Sequence, residues 1–202
     1  MAATLTTPNT LLGTIMPKAG TDRVLSNVAM VLVGTLIITI SAKISVPTFP
    51  VPVTLQTFAV SAVAGAYGSR LGLAAVIAYL LEGLIGAPVF SGAIAGPAYL
   101  MGPTGGFLVG FIPMAYVSGF VAERTGSARV ILLAVAMIVG DAIAFGIGYA
   151  WLVKFLGDHN VASPLSAALA AGVTPFIIWD VLKMVFAALT VSGLWAAFRK
   201  RA

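Results

Sequence analysis

A chain of 202 residues that is 60% hydrophobic and only 8% charged carries more apolar surface than one soluble domain can hide, since soluble chains are roughly 45 to 50% apolar and about 25% charged. It reads as an integral membrane protein with no room for a separate catalytic domain. The lack of cysteine excludes disulfides, thiol catalysis and thiolate-bound metals. One histidine, His159, leaves little for any other metal site. The net charge of +5 is read as membrane topology and not as a nucleic-acid surface.

At about 20 apolar residues per span, the length accommodates five or six helices, and an all-α membrane domain covering residues 1–202 is expected. Residues 1–22 hold two prolines and no long apolar core, so they do not read as a cleaved signal and form a polar lead-in. Spans are expected at about 23–45, 53–68, 71–86, 107–121, 130–155 and 172–198. The first is stopped by "VPTFPVP", whose three prolines cannot continue a helix. Between the third and fourth, "GAPVFSGAIAGPAYLMGPTGG" is too broken to span and too apolar for a solvated loop. Such backbone is tolerated at membrane depth only when it packs in protein or lines a cavity.

Lys18, Arg23, Arg70, Arg124, Arg129, Arg199, Lys200 and Arg201 fall on one side of this map, against Lys43 and Lys154 on the other. The positive-inside rule then puts both termini in the cytoplasm. Six spans require the same result, because an even number returns the chain to its starting side. The Gly/Pro segment and "VPTFPVP" are then on the outer side of the membrane.

Within "GVTPFIIWDVLKMVFAALTVSGLW", Asp180 and Lys183 stand three residues apart. They share a helix face and differ by roughly 4.5 Å along the axis. Counting the helix from Gly172 puts Asp180 roughly 12 Å from its outer end. A central Asp or Lys costs about 2.5 to 3.5 kcal/mol to insert, so both must face the bundle interior. One reading is a salt bridge that holds the bundle; the other is a polar anchor for a small ligand arriving from outside. Both can hold at once, with the pair bridged when empty and shared with ligand when full.

Other polar residues are less decided. Glu82 can be solvated, cap the adjoining loop or meet ligand; Asp141, about midway along the fifth span, reads as structural and needs a partner such as Lys183, Tyr149 or a backbone amide. Gln56 is placed equally for capping or for ligand. Phe90, Tyr99, Phe107 and Trp179 can form an aromatic floor or lid, or simply pack. Ser91, Tyr99 and Thr104 are the better candidates, because a polar tip in an apolar segment seeks a partner. Ser26 and Gly34 allow close helix approach. There is no G-x-x-x-x-G-K-[ST], so "GPTGG" is not a phosphate cradle, and no G-x-S-x-G.

The stretches "VPVTLQTFAV", "GAPVFSG", "YLMGPTGGFLVGF" and "GVTPFIIWDVLKMVFA" resemble the BioY family, the biotin-specific membrane-embedded S components of energy-coupling-factor transporters. "GPTGGFLVGF" together with "PFIxxDxxK" is the specific part. The resemblance implies six helices, capture of biotin at the outer face without catalysis, and work beside a transmembrane T component and paired cytoplasmic ATPases that hydrolyse ATP. It implies that Asp180 and Lys183 are the ligand pair, with Asp180 accepting ureido N–H groups and Lys183 donating to the ureido oxygen or to the valerate carboxylate.

Two departures stand out. "FLVGFIPMAYVSGF" offers no Arg or Lys to the carboxylate, which is left to backbone N–H groups, Gln56, Ser91 or Tyr99. On the first span, Ser26, Met30 and Gly34 are a rough substitute for the Ala-xxx-Ala pattern such proteins present to their T component. Two competing readings remain. One is a solitary proton-coupled transporter of another small solute, using Asp141 and Asp180; the other is an intramembrane enzyme.

Overall fold

The computed structural model describes residues 10–15, 21–126 and 129–199. Most of the lead-in, with Lys18, and the terminal Lys200 and Arg201 lie outside the described residues. The elements in chain order are α1 (Leu11–Ile15), α2 (Thr21–Lys43), β1 (Ser45–Val46), β2 (Val53–Thr54), α3 (Gln56–Tyr67), α4 (Ser69–Leu84), α5 (Pro97–Leu100), α6 (Gly105–Thr125), α7 (Val130–Asp158), α8 (Pro164–Gly172) and α9 (Ile177–Arg199).

Among the described residues, four helical segments are long and apolar enough to cross a membrane: Arg23–Lys43, Gly105–Thr125, Val130–Asp158 and Ile177–Phe198. The helices at the second and third expected spans are shorter. With 12 residues, α3 reaches about 18 Å, well under the roughly 30 Å of a hydrocarbon core. It lies centrally nonetheless, packed on α2, α4, α6 and α9. Its approach is made by β1 and β2, which pair antiparallel with Ser45 opposite Thr54 and Val46 opposite Val53. Prolines 47, 50 and 52 forbid a helix here, and the hairpin satisfies backbone groups that would otherwise be orphaned.

At the α3–α4 turn, Gly68 has φ +89° and a Cβ there would stand 2.6 Å from Glu123 Oε1. Only glycine suits both the backbone and the space. The Glu123 carboxylate then accepts the Ser69 N–H at 2.8 Å and the Ser69 hydroxyl at 3.0 Å, capping α4 from a neighbouring helix. Small residues also bring α6 and α7 together, since a Cβ on Gly110 would lie 2.7 Å from Ala144 Cα. Tyr79, Phe90, Met114, Met137 and Met184 are fully buried in the main core.

The Gly/Pro segment is packed on the bundle in part: Val89, Phe90 and Ser91 are buried, whereas Ile94 and Met101 are exposed. Lys43 Nζ donates to the carbonyls of Phe90 at 2.7 Å and Gly92 at 3.0 Å, and Trp151 Nε1 donates to Gly102 O at 2.8 Å. Two expectations are corrected. The sixth span does not begin at Gly172: that residue ends α8, a short helix opened by Pro164, and α9 starts only at Ile177. Of Ser26, Met30 and Gly34, expected to meet a partner, Met30 and Gly34 pack within the chain. Met30 rests on the cluster of Val63, Tyr67, Leu71 and Ala75, and a Cβ on Gly34 would come 2.8 Å from Ala75 Cβ. The uncovered face of α2 is Leu25, Val28, Leu32 and Leu36 instead.

Candidate functional site

Because α9 starts at Ile177, Asp180 sits in its first turn, about 4.5 Å along the axis rather than deep within a span. An acid there is favoured by the helix dipole. Phe176 O accepts the Asp180 N–H at 2.8 Å. The carboxylate is 2% exposed, so it has to be paired. Its Oδ1 accepts Lys183 Nζ at 2.9 Å and the Thr57 hydroxyl at 2.6 Å. Both donors reach the same oxygen, which leaves Oδ2 without a hydrogen-bond partner among the described residues. Lys183 Nζ also donates to Thr54 O at 2.8 Å, and an ammonium has a third hydrogen to give.

Gln56 opens α3 and is buried beside this pair. Its Nε2 donates to Tyr79 Oη at 2.7 Å, and its Oε1 accepts from Thr54 Oγ1 at 2.9 Å. Tyr79 in turn donates to Val89 O at 3.2 Å, tying the first turn of α3 to the Gly/Pro segment. Together these groups hold the site's backbone where Lys183 meets it.

A small inner cavity of about 60 Å³ joins Asp180, Lys183, Gln56, Thr57, Tyr99 and Thr104. The aromatic part of its wall comes from three elements or their flanks: Phe107 and Phe111 of α6, Phe145 of α7, and Phe176 just before α9. Phe145 stands edge-on to Phe107, with centroids 5.6 Å apart. Tyr99, Thr104 and Pro52 also line a second, outward cavity of about 340 Å³ between the hairpin and the Gly/Pro segment, with Ser91. Burial pushes the Tyr99 hydroxyl above the ordinary tyrosine range, against the lowering pull of the Thr104 and Ser91 side chains.

Residues 13–200 match the BioY family. The chain belongs to the BioY family. Among BioY relatives it is 38% identical to the biotin transporter BioY of Thermotoga maritima, over 77% of this chain and 87% of that protein. It is 36% identical to the biotin transporter BioY2 of Lactococcus lactis, over 84% and 89%. A solved structure, the S-component for biotin from an ECF-type ABC transporter, superposes with a TM-score of 0.72 at 23% identity, covering 87% of this chain and 94% of that one. That likeness is one of fold.

Within this BioY fold, six of the residues singled out in the sequence, Asp180, Lys183, Gln56, Tyr99, Thr104 and Phe107, line one cavity. Ser91 lines the adjoining outward cavity and not the inner one. Phe90 is fully buried behind Tyr99, stacked on it at 4.8 Å, and supports the wall without reaching the space. Trp179 is 61% exposed and turned away from the bundle. Glu82 belongs to the wall of neither cavity. Asp141 is buried, yet among the described residues its Oδ1 lacks the hydrogen-bond partner that its burial was expected to require. Missed altogether were Thr54, Thr57, Phe111, Phe145 and Phe176. The i, i+4 spacing of Phe107 and Phe111 was a usable signal for a shared face; the two threonines carried none.

Proposed function

We propose that this chain captures biotin and mediates its uptake as the substrate-specific component of an ECF-type vitamin transporter. It acts without catalysis, while a T component and a cytoplasmic ATPase pair supply the energy. The observation that carries this reading is the Asp180–Lys183 pair within a BioY-family chain: one free carboxylate oxygen and one undonated ammonium hydrogen at the edge of an aromatic cavity. A cyclic urea presents N–H donors and a carbonyl acceptor with that same polarity. Asp180 Oδ2 takes a ureido N–H, and Lys183 donates to the ureido oxygen. Tyr99 and Thr104 close the site toward the outward cavity, Gln56 fixes its polar corner, Ser91 lies on the approach, and Phe90 backs Tyr99.

In this proposal the chain is one six-span membrane domain of the bacterial cytoplasmic membrane with both termini in the cytoplasm. The positions of Arg23, Arg70, Arg124 and Arg129 near helix ends that share one end of the bundle support that orientation. α3 and α4 cross with help from the hairpin and the packed segment around them.

The test is native mass spectrometry and calorimetry of the gently purified full-length protein. A retained ligand of biotin's mass and saturable 1:1 binding of added biotin are expected. Absence of both would defeat the assignment.

A further inference from the structure

A third cavity, of about 380 Å³, lies between α7, α8 and α9, and Phe145 and Asp180 line both it and the inner cavity. The inner cavity's 60 Å³ is far below the roughly 300 Å³ at which small-molecule pockets begin. A bicyclic ligand held by Asp180 must therefore take up volume beyond it. The outward cavity adjoins it at Pro52, Tyr99 and Thr104, and the cavity across Phe145 adjoins it at Asp180 itself.

On α7, Asp141, Phe145 and Tyr149 follow at four-residue spacing and so share one face; all three line the third cavity. Asp141 is 7% exposed, and its Oδ1 has no hydrogen-bond partner among the described residues. Buried polar atoms in folded proteins are nearly always paired, and an orphan needs an explanation. Of the other polar groups nearby, Gln56 and Thr54 bond each other, and the Tyr149 hydroxyl donates to Leu165 O at 3.4 Å.

Resting on the reading of a biotin site, we propose that Asp141 is a second ligand-binding carboxylate, that the ligand extends past Phe145 into the third cavity, and that Asp141 accepts the urea N–H that Asp180 cannot reach. The two N–H groups of a five-membered cyclic urea diverge from each other, so one carboxylate on one side cannot take both in good geometry. Asp180 Oδ1 already holds Thr57 and Lys183, which leaves Oδ2 for one N–H. Lys183 covers the carbonyl from the same helix. The second N–H points away from Asp180, and Asp141 is the unpaired acceptor on the facing helix. The Phe145 ring turns aside to let the ligand join the two spaces.

The experiment measures binding of biotin, N1′-methylbiotin and N3′-methylbiotin to the full chain by calorimetry. Wild-type protein is expected to disfavour both methylated analogues, each lacking one N–H. Asp141→Leu is expected to weaken biotin about fivefold, the loss of one hydrogen-bond acceptor, and to abolish discrimination against one analogue while keeping it against the other. Asp141→Asn, which retains an acceptor oxygen, is expected to stay within about threefold of wild type. Gly146→Leu serves as the variant that keeps the fold: Gly146 lines only the third cavity, and a Cβ there meets nothing within 4 Å. It is expected to weaken biotin about tenfold by occupying that volume.

Unchanged biotin affinity in Gly146→Leu, or an Asp141→Leu protein that weakens all three ligands alike or keeps discrimination against both analogues, overturns the role of Asp141 and leaves the biotin site intact. Wild-type protein that binds no biotin overturns the underlying reading and this one with it.

Discussion

Around Asp180 the helices are held apart by polar side chains, whereas around Glu123 they are drawn together until backbone meets backbone. At the first end, Thr54, Thr57, Asp180 and Lys183 share hydrogen bonds across three elements and stand beside unfilled space. At the second, a Cβ on Gly72 would lie 2.7 Å from Ala64 Cα, and one on Gly119 would lie 2.5 Å from the Ser69 nitrogen. The polar end keeps open valences and volume, both of which cost stability. The close-packed end has neither and supplies the rigidity that holds the site's geometry.

The largest effect is expected at the ion pair. Lys183→Met leaves Asp180 buried with only the Thr57 hydroxyl, and removing one partner of a buried pair costs on the order of 3 to 5 kcal/mol. Biotin affinity should fall on the order of 100-fold or more, and Asp180→Asn should do the same by weakening the acceptor. Titration calorimetry on both variants decides the matter. Wild-type affinity in both would mean that the pair only holds the bundle together, and the contrast between the two ends would lose its functional half.

The ion pair was readable from residues alone because a charge in an apolar run has few physical options: it must find a partner inside the bundle. Its depth was not, because "PLSAALAAG" is short, apolar and alanine-rich, and nothing in it distinguishes the end of one helix from the start of the next. The structure breaks the chain between Gly172 and Ile177 and so moves Asp180 into a first turn. Ser26, Met30 and Gly34 show a second limit. Small-residue spacing predicts close approach but not the neighbour, and here the neighbours of Gly34 are Ala75 and Tyr67 of the same chain. The β1–β2 hairpin was legible only as a helix stop, since two-residue strands are set by their pairing and leave no periodicity to read.

A smaller effect is expected from Thr57, 123 residues from the carboxylate it serves. Hydroxyls are common in spans and usually bond the preceding turn, so no local pattern marks this one. Thr57→Val keeps the shape of the side chain and removes one hydrogen bond to a charged acceptor, worth roughly 1.5 kcal/mol or more. Biotin affinity should drop about tenfold, less than for Lys183→Met because the cation remains. An unchanged affinity would show that Lys183 alone orients Asp180.

The smallest effect on binding is expected from the variant with the greatest steric insult at the other end. Gly119 packs on the backbone of Gly68 and Ser69, where a Cβ would come within 2.6 Å of three atoms. Backbone cannot yield as a side-chain tip can, so Gly119→Val forces α6 away from the α3–α4 turn and disturbs the Glu123 cap on Ser69. Overpacking of this kind costs about 1 to 3 kcal/mol, or roughly 3 to 10 °C in melting temperature for a chain of this size. If rigidity and binding are divided between the two ends, the variant melts earlier in detergent yet binds biotin within about twofold of wild type, as non-contacting sites remote from each other behave nearly independently. A parallel loss of affinity would show that α6, which carries Phe107 and Phe111 to the cavity wall, transmits the strain along its length, and that the two ends are one mechanical unit.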